Sequence, residues 1–152
     1  MFEARRKLEH VILELVLDHA TADQLDALEK LTDEEEHIHH HGDEKSNSVL
    51  SGKFHVVLAE LGGNTVLAEI LSEIVARLSL VMSLHEEEQK DECGADHHRQ
   101  IVSALKAKDL SKAQQLMDHH LADIVGRFRL TEGQGDRHTF RAVLENFSDQ
   151  GS

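Results

Sequence analysis

The sequence predicts an all-α fold, on three observations. Proline is absent from all 152 residues. Nearly every segment carries apolar residues at a 3.6-residue rhythm rather than in strict alternation. Capping residues and glycines fall between these segments, where helices should start and stop.

Helix one is expected from about Phe2 to Ala20, with a stripe through Leu8, Ile12, Leu15 and Val16. It starts at Phe2 without a capping residue or a lead-in, which suggests that the chain is the C-terminal part of a longer protein. Thr21 and Gln24 form a Thr-x-x-Gln capping box that opens helix two, and Gly42 closes it. Asp43 is a plausible cap for helix three, which ends at Gly62 and Gly63. Asn64 caps helix four, with Leu67, Ile70, Leu71, Ile74, Leu78, Val81 and Met82. A polar connector, HEEEQKDECGAD, leads to helix five around His97 to Lys106. Asp109 caps helix six, and the tail holds one further short helical segment, RHTFRAVLENF.

The chain has one domain's worth of residues, with 39 % hydrophobic and 30 % charged, as in soluble globular proteins. No run approaches the roughly 18 apolar residues of a membrane span, and the N-terminus lacks a signal-peptide layout, so a cytoplasmic protein without membrane contact is expected. The single cysteine, Cys93, excludes an internal disulfide framework. A formal charge of −13, with neither Trp nor Tyr, argues against nucleic-acid binding by this chain itself.

The unusual count is 13 histidines. His55 lies beside the stripe of Leu50, Phe54, Leu58 and Leu61. His98 is in phase with Ile101, Val102 and Leu105, and His120 with Leu110, Ala113, Met117, Ile124 and Phe128. Three imidazoles from three helices thus point to the interior, where each needs a hydrogen-bond partner or a shared metal ion. Core histidines with protein partners and a metal site are both open on this pattern. The run His37, His39, His40 and His41 complements the C-terminal end of helix two. His97 and His119 precede candidate ligands and should face sideways or outward, while His85 could line a cavity.

Two arginines also interrupt apolar lines: Arg5 among Leu8, Ile12, Leu15 and His19, and Arg77 among Ile70, Ile74, Val81 and Leu84. Each is either salt-bridged, a snorkelling stem, or a binding group for a carboxylate.

The segments FEARRKLE, KFHVVLAELGGN and DHHRQIVSALKAKDLSKAQQLMDHHL, in this order and spacing, resemble the C-terminal effector domain (FCD) of the FadR subfamily of GntR transcriptional regulators. The resemblance runs from Phe2 to about Leu130. It implies an antiparallel bundle of six to seven helices with an internal ligand cavity, spanning residues 1–152 as one effector- and metal-binding domain. In the metal-binding branch of the family a divalent ion, often zinc or nickel, is held by three histidines and an aspartate, and a small organic acid completes its coordination. The three histidines correspond to His55, His98 and His120. The aspartate position is Ser51 here, so the resemblance implies a three-histidine site completed by water or effector oxygens, or one without metal. Arg5, Arg77, Ser51 and His85 are the candidate effector contacts. The resemblance further implies a homodimer and operator DNA contact through an N-terminal winged-helix domain absent from this chain. A ligand sensor rather than an enzyme is therefore expected. The alternatives are a zinc-dependent hydrolase-like protein, for which no general base is evident near the histidines, and a metal store built on the HIHHH run.

Overall fold

The computed structural model describes residues 2–42, 44–83 and 94–132. All of these but the connections between elements lie in six helices: α1 (Phe2–His19), α2 (Ala22–His41), α3 (Glu44–Leu61), α4 (Thr65–Ser83), α5 (Gly94–Lys106) and α6 (Leu110–Glu132). The all-α class is as the sequence predicts. The segment RHTFRAVLENF, Asp43, His85 and Cys93 lie outside the described residues.

Most expected boundaries are met by their capping chemistry. Thr21 Oγ1 accepts from Gln24 N at 3.2 Å while Gln24 Oε1 accepts from Thr21 N at 2.9 Å, a complete capping box. Asn64 Oδ1 accepts from Leu67 N at 3.2 Å, and Asp109 Oδ1 from Lys112 N at 3.0 Å. Helix α5 begins earlier than expected, at Gly94 rather than His97. Ala95 is fully buried in the core and Asp96 complements the amino-terminal dipole, which extends the helix back into the polar connector. At its other end Lys108 takes φ = +56°, with Lys108 N bonded to Leu105 O and Asp109 N to Ala104 O. This is a Schellman stop with a lysine where glycine is usual.

Helix α1 is central, packing on α3, α4, α5 and α6, while α2 packs on α3 and α5. The neighbouring pairs α3–α4 and α5–α6 are joined by three residues each, a length that sets packed helices antiparallel. The core runs through Ile12, Leu13, Val16, Leu28, Phe54, Leu58, Leu71, Ile101, Leu105 and Met117. Truncating any one of these to alanine should cost about 2–5 kcal/mol.

Polar side chains share this core: Arg5, Glu9, Thr32, Glu35, His55, His98 and His120 are all buried. They converge from α1, α2, α3, α5 and α6.

Candidate metal centre

His55, His98 and His120 come together, each at most 1 % exposed. Their Nε2 atoms form a triangle: His55 to His120 at 3.2 Å, His98 to His55 at 3.3 Å, and His98 to His120 at 3.1 Å. The His98 ring stacks on Phe54, with centroids 3.9 Å apart and planes 10° apart, which holds its orientation.

The opposite ring edges decide the protonation. His55 Nδ1 lies 2.7 Å from Glu9 Oε2, and His98 Nδ1 lies 2.7 Å from Glu35 Oε2. A carboxylate accepts, so both Nδ1 atoms donate and both Nε2 atoms keep a lone pair. Two lone pairs 3.3 Å apart make no hydrogen bond. Only His120 can place a proton inside the triangle, and that proton satisfies one neighbour at most. An additional proton is disfavoured: burial, then the opposing influences of Glu9 and Arg5, leave His55 at about 4, below its ordinary 6.5. Burial, with His98 and His55 beside it, likewise pushes His120 well below the usual imidazole range.

Glu9 is itself anchored. Arg5 Nε donates to Glu9 Oε1 at 2.7 Å, with both side chains buried. Burial raises the Glu9 carboxyl, but His55 and Arg5 together outweigh it and hold Glu9 at about 2. The arrangement is a chain, Arg5 to Glu9 to His55, ending on a lone pair aimed at the triangle.

The donor set fits a divalent cation. Two imidazoles on a tetrahedral zinc with bonds of about 2.0–2.1 Å stand about 3.3–3.4 Å apart, and adjacent ligands of an octahedral ion with similar bonds about 3.0 Å apart. The observed edges of 3.1–3.3 Å lie between these, so the spacing accepts either zinc or nickel. Carboxylates bound to the far nitrogen of metal-ligating histidines fix both tautomer and ring orientation, and Glu9 and Glu35 occupy those positions.

The other expected site residues divide. Ser51 is half-buried on α3, one turn before His55. A Cβ added at Gly94 would lie 3.6 Å from Ser51 Oγ, 3.5 Å from Glu35 Oε1 and 4.0 Å from His120 Cε1, so Ser51 borders the cluster at a place left open by a glycine. Arg5 reaches the site only through Glu9. Arg77 does not reach it: it is exposed on α4 and pairs with Glu73. Helix α4 turns Ala68, Leu71, Val75 and Leu78 inward and leaves Ile70 45 % exposed, so the line through Ile70 and Arg77 is its outer side. His37, His40 and His41 lie on the surface of α2.

Sequence reasoning missed Glu9 and Glu35. Glu35 lies in the acid run DEEE and Glu9 in the charged stretch RRKLEH, both of which read as solvated surface, yet both are in phase with buried residues: Glu9 with Arg5, Ile12 and Val16, and Glu35 with Leu28, Leu31 and Thr32. They place two carboxylates beside histidines near which the sequence shows no evident general base.

Comparison with known proteins agrees with this architecture. The FCD domain family profile matches residues 1–123. The chain is 29 % identical over 117 residues to a Bacillus subtilis (strain 168) protein named as the uncharacterized HTH-type transcriptional regulator YdhC, covering 76 % of this chain and 52 % of that protein. It therefore spans about half the length of this relative. Among solved structures it is similar to Streptococcus agalactiae GntR, with 33 % identity and a TM-score of 0.65 over 84 % of this chain and 56 % of that one. It also shares the fold of E. coli McbR/YncC, at 18 % identity and a TM-score of 0.74 over 88 % of this chain and 66 % of that one.

Proposed function

The chain belongs to the FCD domain family, and from that premise we propose that it is the ligand-sensing domain of a GntR-type transcriptional regulator whose core holds a divalent metal ion on His55, His98 and His120. The observation that carries this reading is the pair of inward Nε2 lone pairs on His55 and His98, with both Nδ1 protons committed to buried carboxylates. A polar core satisfied by protein alone would supply each of them with a donor, and His120 can supply one proton at most.

The effector proposed is a small carboxylate. Around the triangle stand two buried carboxylates, Glu9 and Glu35, and one buried guanidinium, Arg5. Added to a divalent cation, these give a local charge of about +1, which one carboxylate neutralises at low dielectric cost. Bound there, the ion would supply a Lewis-acidic point for the effector's oxygens. The protein's part is to aim three imidazoles, to hold two of their outer protons, and to exclude water with Phe54 and the surrounding core.

A hydrolase is disfavoured by the same geometry. Glu9 is taken up by Arg5 and His55, and Glu35 by His98, so neither is a ready base for water. The similarity to an HTH-type regulator supports operator DNA contact through an N-terminal domain outside this chain; a cytoplasmic homodimer is part of the same proposal. No helix among the described residues is long and apolar enough to cross a membrane.

Elemental analysis of untagged, dialysed protein tests the reading. About one equivalent of zinc or nickel is expected per chain, and it should be lost on His98→Ala. A folded protein that refuses added zinc and nickel, or one in which His98→Ala leaves the metal content unchanged, refutes it.

A further inference from the structure

A second group of potential ligands lies outside the triangle, across α5 and α6. His97 Nε2 is 3.8 Å and His119 Nε2 is 3.7 Å from Asp123 Oδ2. One ligand atom from each of His97, His119 and Asp123 lies within 4.8 Å of the other two. His119 and Asp123 are one turn apart on α6, and His97 approaches them from α5. Both contacts to Asp123 are too long for hydrogen bonds. They are short enough to be spanned by two metal–ligand bonds of about 2.0–2.2 Å each.

A further observation points to a missing ligand. Asp123 Oδ2 is buried, yet it has no hydrogen-bond partner among the described residues. A buried carboxylate oxygen normally has a donor or an ion within reach. Two imidazoles flank this one and neither bonds to it. The group is also reachable: the His119 side chain is 66 % exposed, and His97 and Asp123 are 17 % and 27 % exposed.

We propose that His97, His119 and Asp123 form an outer divalent-cation site, separate from the core triangle and open to solvent. Two imidazoles and one carboxylate suit borderline ions such as zinc, nickel or copper(II) rather than magnesium or calcium. The chain's formal charge of −13 attracts cations to the surface. His97 also links the two groups physically, because its Nδ1 lies 3.4 Å from Nδ1 of the core residue His120. The two metal positions thus lie two imidazole rings apart, those of His120 and His97, with one position sealed and one exposed.

The test uses the full 152-residue chain and zinc alone, followed by calorimetric titration. To keep zinc uptake by the histidine run of α2 out of the titration, the parent for the test carries His37→Ala, His39→Ala, His40→Ala and His41→Ala. His119→Ala and Asp123→Asn are then compared with that parent. Each should remove one zinc equivalent, or weaken it at least tenfold, without changing the circular dichroism or any tighter equivalent. In His98→Ala the outer equivalent should persist, so a failure of the core reading leaves this result independent. An unchanged titration in both His119→Ala and Asp123→Asn, or a parent that binds no zinc beyond the core equivalent, overturns the outer site.

Discussion

Replacing Glu9 with glutamine preserves its shape and removes its charge. Glu9 accepts from two donors at once, Arg5 Nε and His55 Nδ1, each at 2.7 Å. Glutamine places one oxygen and one NH2 group in those two positions. With the oxygen toward Arg5, the NH2 faces His55 Nδ1, which must then accept and carry its proton on Nε2, inside the triangle. With the oxygen toward His55, the guanidinium of Arg5, a residue 4 % exposed, faces another donor without its counter-charge. Breaking a buried ion pair from one side costs about 3–5 kcal/mol, or roughly 6–20 °C in Tm for a domain of this size. Losing an outer partner of a ligating histidine costs about 10–100-fold in metal affinity. Glu9→Gln should therefore melt lower by about 6–20 °C in a chelator. It should also bind zinc at least tenfold more weakly in competition with a chromophoric chelator. An unchanged Tm refutes the buried pair as a structural element. A lowered Tm with unchanged zinc affinity refutes the claim that Glu9 sets the His55 tautomer.

Three other substitutions or conditions give separate readings. Ser51→Asp should tighten zinc binding, since it adds a carboxylate one turn before His55, and an unchanged dissociation constant would place position 51 beyond reach of the ion. Lys108→Gly should raise Tm by about 2–4 °C, because glycine relieves about 1 kcal/mol of left-handed strain at φ = +56°; a lower Tm would mean that the lysine side chain contributes more than the strain costs. In chelator, stability should fall with acid in two stages. His55 is lowered from 6.5 to about 4, so the unfolded chain takes up the proton first and stability is lost as pH falls from 6.5 to 4. Glu9, lowered from 4.5 to about 2, extends the loss through that lower window. Each contributes about 3 kcal/mol at full span; urea midpoints flat between pH 6.5 and pH 4 would refute the His55 stage, and midpoints flat between pH 4.5 and pH 2 would refute the Glu9 stage.

The helices were readable where local chemistry decides them. Thr21, Asn64 and Asp109 make the caps their side chains suggest, and His98 and His120 face inward with the apolar residues on their own faces. Phase misleads on α4 because Val66, Ile70 and Leu80 are exposed on the same side as Glu69, Glu73 and Arg77, so a line of apolar residues through Ile70 follows the solvent face and carries Arg77 with it. Glu9 and Glu35 were illegible for a different reason. A single carboxylate in an acidic chain is ordinary surface unless its partner is known, and each partner is a histidine 46 or 63 residues away. The outer trio is likewise a product of α5 lying against α6, which no spacing within one helix reveals.

Those long separations bear on how the domain assembles. The triangle and its two carboxylates join α1, α2, α3, α5 and α6, so no part of it exists until most of the bundle has closed. Contacts so distant in sequence form late, after local helices and their shorter loops. An ion with affinity for the finished site would then leave the rate of folding nearly untouched and act on the rate of unfolding instead. The buried histidines are in this sense a latch, closed after folding, whose strength sets how long a folded molecule lasts rather than how quickly it forms.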